Sequence, residues 1–228
     1  MLRKVEDIKF WYQWLLANAV AELIGLGSIA ALGYGIFSFA GDPNGLASIA
    51  LATIFVCLGA LEGYVVGLAQ YQVMKRHHVV INGWIHATIV GAIVAWAVGM
   101  APSTIMSFIE PVAPDAPPIE IAQWQRLAFA SALGLVAGPV LAFFQWRRLR
   151  VHYPKNALWW LPANAVAWAF GMPVVFMGVH LAATSTSAMS AVASVGVSLL
   201  VAGAVVGAVH GSVLVCLLGQ GRNSASSV

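Results

Sequence analysis

The chain has very few charged residues, and this shortage decides its class. Asp, Glu, Lys and Arg make up 8% of its 228 residues, whereas 61% are hydrophobic. Because soluble domains carry charge on roughly a quarter of their residues, an ordinary water-exposed globular domain is excluded. The only two cysteines, Cys57 and Cys216, are too far apart in sequence for a cysteine metal motif and too few for a disulfide framework.

Sequence motifs that identify common enzymes are also absent. The chain lacks a glycine-rich phosphate loop, a His-Glu-x-x-His pair and a nucleophile elbow. It also lacks a nucleic-acid-binding signature. The sequence therefore favours a protein that is not an enzyme and has no nucleic-acid partner. It predicts no metal site, and it identifies no cofactor.

Six long apolar stretches account for most of the sequence. Each exceeds the roughly 20 residues that a helix needs to cross the hydrocarbon core of a bilayer. We therefore predict an all-α integral membrane protein with six transmembrane helices. The lipid bilayer is the first partner that we predict for this protein. The stretches cover residues 14–40, 46–73, 79–109, 121–146, 156–182 and 190–219.

Basic residues lie at alternate ends of these stretches. Of the 11 lysines and arginines, all except Arg126 fall on one side of a six-helix topology. Because basic residues accumulate in cytoplasmic loops, both termini are predicted to be cytoplasmic, in an inner or plasma membrane. Residues 1–13 are predicted to form a cytoplasmic interfacial segment, residues 14–220 the membrane domain and residues 221–228 a cytoplasmic tail. The acidic, proline-rich residues 110–120 are predicted to form a stiff outer loop.

The sequence repeats parts of itself. WLLANAVA at residues 14–21 recurs as WLPANAVA at 160–167, and AWAVGM at 95–100 recurs as AWAFGM at 167–172. An internal period of this kind indicates a repeat architecture. We predict three parallel two-helix repeats, covering about residues 9–75, 76–150 and 151–222, around a pseudo-threefold axis along the membrane normal.

Small residues recur every four positions along the predicted helices. Gly91, Ala95 and Gly99 are one such series in the third helix. Stripes of small residues let membrane helices approach closely. The sequence therefore predicts tight packing, with little space for a wide aqueous pore.

Three ionisable residues lie deep within the predicted helices, at similar depth: Glu22, Glu62 and His210. Such residues are costly in a membrane and indicate function by default. We expect them to form a cluster that binds a cation or exchanges a proton. Two carboxylates in one low-dielectric site repel each other, so one of them is expected to keep a proton. The nearby histidine could accept this proton or pass it on. Alternatively, each acid is protonated and hydrogen-bonded to the scaffold.

The repeat assigns relations to these residues. Glu62 and His210 each precede a glycine, which predicts that they are equivalent positions in two repeats. Glu22 is predicted to occupy the place that Trp96 and Trp168 take in the other two.

Other polar and aromatic residues are weaker candidates. Asn18 and Asn164 recur in two repeats, and they predict either hydrogen bonds between helices or a polar lining for a ligand. Trp96 and Trp168 are the two deep tryptophans, expected to fill space at the axis or to stack on an apolar ligand. The other seven of the nine tryptophans lie near predicted helix ends and predict an aromatic belt at the membrane surface; they include Trp14, Trp84 and Trp160.

Two functions remain open from the sequence. The first is a carrier, or a membrane-embedded binding subunit, for a small solute or ion that uses Glu22, Glu62 and His210. The alternative is a non-catalytic structural subunit of a larger membrane complex, with membrane-protein partners and surfaces that bind pigment or lipid.

Overall fold

The computed structural model of the chain describes residues 2–40, 45–108, 121–154 and 156–225. Within these ranges the secondary structure is helical, and no β-strand is present. The prediction of an all-α chain with six long apolar helices is confirmed. A short 3₁₀ turn at Ala157–Trp159 precedes the fifth helix. The helices are α1 (Leu2–Ala40), α2 (Leu46–Arg76), α3 (Trp84–Met106), α4 (Gln123–His152), α5 (Trp160–Ala183) and α6 (Ala188–Ala225).

All six helices are long and apolar enough to cross a membrane. Most of the first 13 residues belong to α1, which begins at Leu2 and continues without a break to Ala40. Likewise, α6 continues to Ala225, through much of the predicted tail. The predicted outer loop at residues 110–120 lies outside the described residues.

The six helices form a closed ring. Each packs against its neighbours in chain order, and α6 packs against α1. We call the end of the ring at which α1 begins the inner end, because it corresponds to the predicted cytoplasmic side, and the opposite end the outer end.

Glycines allow the closest approaches in this ring. On each even-numbered helix at least one glycine lies against a carbonyl oxygen of the next helix: Gly63 against Thr88, Gly138 against Asn164, and Gly203 against Asn18 of α1. A Cβ atom on any of them would come closer than 3.0 Å to that oxygen. The helices therefore touch backbone to backbone and enclose little space.

A proline inside α5 is compensated by α4. Pro173 has no N–H, so the carbonyl of Ala169, four residues earlier, lacks its usual helical donor. The Ser131 hydroxyl of α4 donates a hydrogen bond to that carbonyl. The two helices therefore stay joined at this point.

Candidate functional site

Three indole rings meet near the inner end of the ring, one from each odd-numbered helix. The Trp14 and Trp84 ring centroids lie 6.4 Å apart, those of Trp14 and Trp160 6.4 Å, and those of Trp84 and Trp160 5.8 Å. All three contacts are edge-to-face, a favourable geometry for aromatic rings. We call Trp14, Trp84 and Trp160 the tryptophan triangle. The three side chains are at most 1% exposed, so the prediction that they belong to a membrane-surface belt is wrong.

Each indole of the triangle donates its N–H to a side chain on a neighbouring even-numbered helix. Trp84 donates to Gln70 Oε1 and Trp160 to Gln145 Oε1, both at 3.0 Å. Trp14 donates to His210 Nδ1 at 2.9 Å. Because Nδ1 accepts this bond it carries no proton, and the hydrogen of the neutral ring is therefore on Nε2.

Amide side chains extend this network between helices. Gln70 Nε2 donates to Asn18 Oδ1 at 2.8 Å, which links α2 to α1. Gln145 Nε2 donates to Thr88 Oγ1 at 2.9 Å, which links α4 to α3. Asn164 donates to the Trp160 carbonyl of its own helix at 2.8 Å. The tryptophan triangle and its side-chain partners thus form a buried, hydrogen-bonded layer, which we call the inner closure.

A small cavity lies next to this layer. It offers about 10 Å³ to the centre of a water molecule, which is room for roughly one water. Six of the seven predicted site residues line it, and Trp96 is the exception. The predicted residues in its wall are Asn18, Glu22, Glu62, Asn164, Trp168 and His210.

Two carboxyl groups lie side by side in the wall of this cavity. Glu22 of α1 is 2% exposed and Glu62 of α2 is 5% exposed. Glu62 packs on Gly25, one helical turn beyond Glu22, where a Cβ atom would lie 3.0 Å from Glu62 Cγ. Both side chains line the same cavity. We call Glu22 and Glu62 the carboxyl pair.

The hydrogen bonding of the carboxyl pair is incomplete. Glu62 Oε2 accepts the indole N–H of Trp96. Glu22 Oε2 is buried and has no hydrogen-bond partner among the described residues. Neither lysine nor arginine occurs among the described residues that line the cavity. A buried carboxylate without a partner or a countercharge is costly, so this oxygen requires a proton, a water or a cation.

Trp96 covers the carboxyl pair on the outer side. Its ring stacks on Phe55, with centroids 6.0 Å apart and an interplanar angle of 10°. It also lies against Gly59, where a Cβ atom would overlap the indole. The carboxyl pair therefore lies between the tryptophan triangle and this single indole.

The predicted relations between repeats do not match these contacts. His210 accepts from Trp14 as Gln70 and Gln145 accept from Trp84 and Trp160, so the hydrogen bonds group it with the glutamines and not with Glu62. The residues that precede Gly138 and Gly203, as Glu62 precedes Gly63, are both alanines.

The predicted match of Trp96 with Trp168 is also wrong. Trp168 lies eight residues beyond Trp160 and lines the cavity, whereas Trp96 lies twelve beyond Trp84 and covers it from outside. The two similar phrases are therefore displaced by one helical turn. A shift of four residues keeps the same helix face, so runs of Ala, Val and Gly match about equally well in either register.

The three ionisable candidates share the cavity without forming a metal site. No three His, Cys, Asp or Glu side chains of the described residues converge on one point as metal ligands. His210 accepts a hydrogen bond from Trp14, whereas Glu62 accepts one from Trp96 and Glu22 Oε2 has no partner among the described residues. The predicted cluster is therefore a carboxyl pair with a neutral histidine in the same wall.

No protein-family model, curated protein or solved structure matches this chain.

Proposed function

We propose that this protein is a multi-pass membrane protein that binds a small cation, in the first place a proton, at the carboxyl pair and carries it. The observation that supports this is the buried Glu22 oxygen without a partner, beside a second buried carboxyl group. Two adjacent carboxylates repel each other, and a medium of low dielectric constant disfavours both charges. One proton shared by the pair removes the repulsion and leaves a single charge, for which the Trp96 N–H that Glu62 accepts is a donor.

The size of the cavity supports a very small ligand. A cavity with room for about one water molecule admits a proton, or one cation about as large as a water molecule. It leaves no place for a larger solute in this conformation. Closure by tryptophans on both sides corresponds to an occluded state. A carrier passes through such a state between opening to one side and opening to the other.

The fold that we propose around this site has six membrane-spanning helices and cytoplasmic termini. Its three two-helix units are parallel and surround a pseudo-threefold axis. Three hydrogen bonds of one kind support this arrangement, since each joins a triangle indole to the even-numbered helix of the adjoining unit. The three glycine contacts, from Gly63, Gly138 and Gly203, also lie between adjoining units and support the same arrangement.

Infrared spectroscopy of the protein in lipid vesicles tests proton binding. We expect a pH-dependent carbonyl-stretch band of a protonated carboxylic acid, altered in Glu22→Gln and in Glu62→Gln and absent from the double variant. Glu6→Gln is the matched control, because Glu6 is an exposed carboxyl group on the same helix as Glu22. A wild-type spectrum equal to that of the double variant at every pH would refute proton binding at this site.

Proton uptake by the same vesicles tests the carrier. A potassium diffusion potential drives the uptake, and a trapped pH-sensitive dye reports it. We expect uptake by wild type and Glu6→Gln, and the rate of protein-free vesicles for Glu22→Gln and Glu62→Gln. If wild type also shows only the protein-free rate, the carrier is refuted and a proton-binding subunit remains.

The alternative function, a structural subunit of a larger complex, is favoured by one surface feature. A groove between the outer halves of α4, α5 and α6 offers about 640 Å³, and its lining is mainly apolar, including Leu127, Val174, Met177 and Val197. Membrane helices associate through close van der Waals packing, and a groove offers more surface for such packing than a flat helix face. Native mass spectrometry after mild extraction tests this: a stoichiometric partner protein would favour the subunit over the carrier.

A further inference from the structure

The carboxyl pair is closed differently on its two sides. On the inner side, three buried indoles contact one another, and each is bonded to a neighbouring helix. On the outer side, one half-buried indole, Trp96, is hydrogen-bonded to the pair and packs against a small cluster of three buried apolar residues, Ile29, Leu51 and Phe55. The outer closure therefore has one hydrogen bond and a small buried cluster, whereas the inner closure has three hydrogen bonds and a larger buried cluster.

Depth along the helices places Trp96 just outside the pair. Trp96 lies twelve residues beyond Trp84 on α3, which is about 18 Å toward the outer end. Glu62 lies eight residues from Gln70 on α2, about 12 Å in the same direction. Since Trp84 and Gln70 are hydrogen-bonded to each other, both distances start from the same level.

Trp96 contacts α2 in three places. Its N–H donates to Glu62 Oε2, its ring stacks on Phe55, and its edge lies against Gly59. The first of these depends on the charge of Glu62, because a hydrogen bond to a carboxylate is stronger than one to a neutral carboxylic acid.

Building on the proposed function, we infer that Trp96 is the outer gate of the carboxyl pair, and that protonation of Glu62 loosens it. A proton on Glu62 turns a charge-assisted hydrogen bond into an ordinary one, so the indole leaves its place more easily. The proton then exchanges with the outer side between α1, α2 and α3. Trp96 is a positioning residue in this scheme, because it acts through Glu62 and carries no proton itself.

The surroundings of Glu62 leave few groups that compete for this role. Among the described residues of α1, Glu22 is the titratable side chain that lines the same cavity. The neighbouring helix α3 presents Trp96, which does not titrate, and Ala92. His210 of α6 lines the same cavity but is engaged by Trp14.

Deuterium exchange of the infrared carboxyl band measures the opening of this gate. After transfer of the vesicles to heavy water, the band shifts at the rate at which solvent reaches the pair. Trp96→Phe keeps an aromatic ring on Phe55 but removes the N–H, and Gly59→Ala displaces the indole without altering it. Gly99→Ala, on α3, is the matched control, because a Cβ atom there has nothing within 4 Å.

We expect exchange in Trp96→Phe and Gly59→Ala to be at least about tenfold faster than in wild type, since a hydrogen bond to a charged group corresponds to a factor of roughly 10 to 100. Gly99→Ala should exchange at the wild-type rate. If the band is present but both gate variants exchange at the wild-type rate, Trp96 is not the gate, although the proton site stands. If the band is missing from wild type, the proposed function fails together with the gate.

Discussion

Substitution of glycine by alanine is expected to have opposite effects on protein stability at Gly91 and at Gly99 of α3. They lie two turns apart in one series of small residues, and the sequence gives both the same packing role. In the structure, a Cβ atom on Gly91 would lie 2.5 Å from the Leu141 carbonyl oxygen of α4, whereas one on Gly99 would have nothing within 4 Å. Alanine should therefore destabilise the protein only at position 91.

The size of the effect follows from two opposing contributions. Alanine gains about 0.8–1.0 kcal/mol over glycine in a helix interior, and both variants receive this gain. At Gly91 the new carbon lies about 0.5 Å inside the 3.0 Å limit of real contacts. Since the obstacle is backbone, α3 and α4 must separate, and overpacking of this kind costs about 1–3 kcal/mol. The two variants should thus differ in unfolding free energy by about 1–3 kcal/mol.

Thermal stability in one detergent measures this difference. For a chain of this length, roughly 2 kcal/mol corresponds to a difference in Tm of about 4–8 °C. Samples are heated in steps, and the fraction that remains monodisperse on size-exclusion chromatography gives the midpoint. A Gly91→Ala midpoint equal to or above that of Gly99→Ala would refute the close contact between α3 and α4.

The tryptophan triangle gives two further predictions for the same assay. His210→Gln should keep nearly full stability, because an amide oxygen can accept from Trp14 as it does in the two other hydrogen bonds of the triangle. His210→Leu leaves the buried N–H of Trp14 unpaired and should lose about 1–3 kcal/mol of unfolding free energy. Equal midpoints for the two variants would contradict this role of His210. Trp84→Phe removes the N–H that Gln70 accepts and should lose about 1–2 kcal/mol, while Trp124→Phe, at a side chain that is 69% exposed, should change little. A larger loss at Trp124 than at Trp84 would argue against the triangle.

The six helices were predictable because length and hydrophobicity define them without reference to tertiary contacts. Glu22 and Glu62 were predictable as a pair because their distances from Trp14 and Gln70 along two neighbouring helices are equal. The triangle was not predictable, since a tryptophan near a span end normally lies at the membrane surface. In this protein the inner ends of the helices are covered by the segments that connect α2 to α3 and α4 to α5. Ile81 and Ala157 in these segments are completely buried.

The registers between helices were the least predictable feature. Small residues at every fourth position make several alignments equally good, and only hydrogen bonds that need particular partners distinguish them. His210 shows this, because its adjacent Gly211 suggested equivalence with Glu62. Its bond to Trp14 is what relates it to Gln70 and Gln145.

Packing and chemistry have different symmetry in this ring. The contacts of Gly63, Gly138 and Gly203 form one set of three, and the triangle bonds form another, which suits a scaffold held by close packing. The carboxyl pair occurs once, where α1 meets α2, and the residues that take the place of Glu62 beside Gly138 and Gly203 are Ala137 and Ala202. Replacing a small side chain by a carboxyl group at one contact places charge in the interior while the other two contacts keep the ring closed. The proposed site for one proton is therefore compatible with the proposed threefold scaffold, and any opening of the site should involve the helices that carry and cover it, α1, α2 and α3.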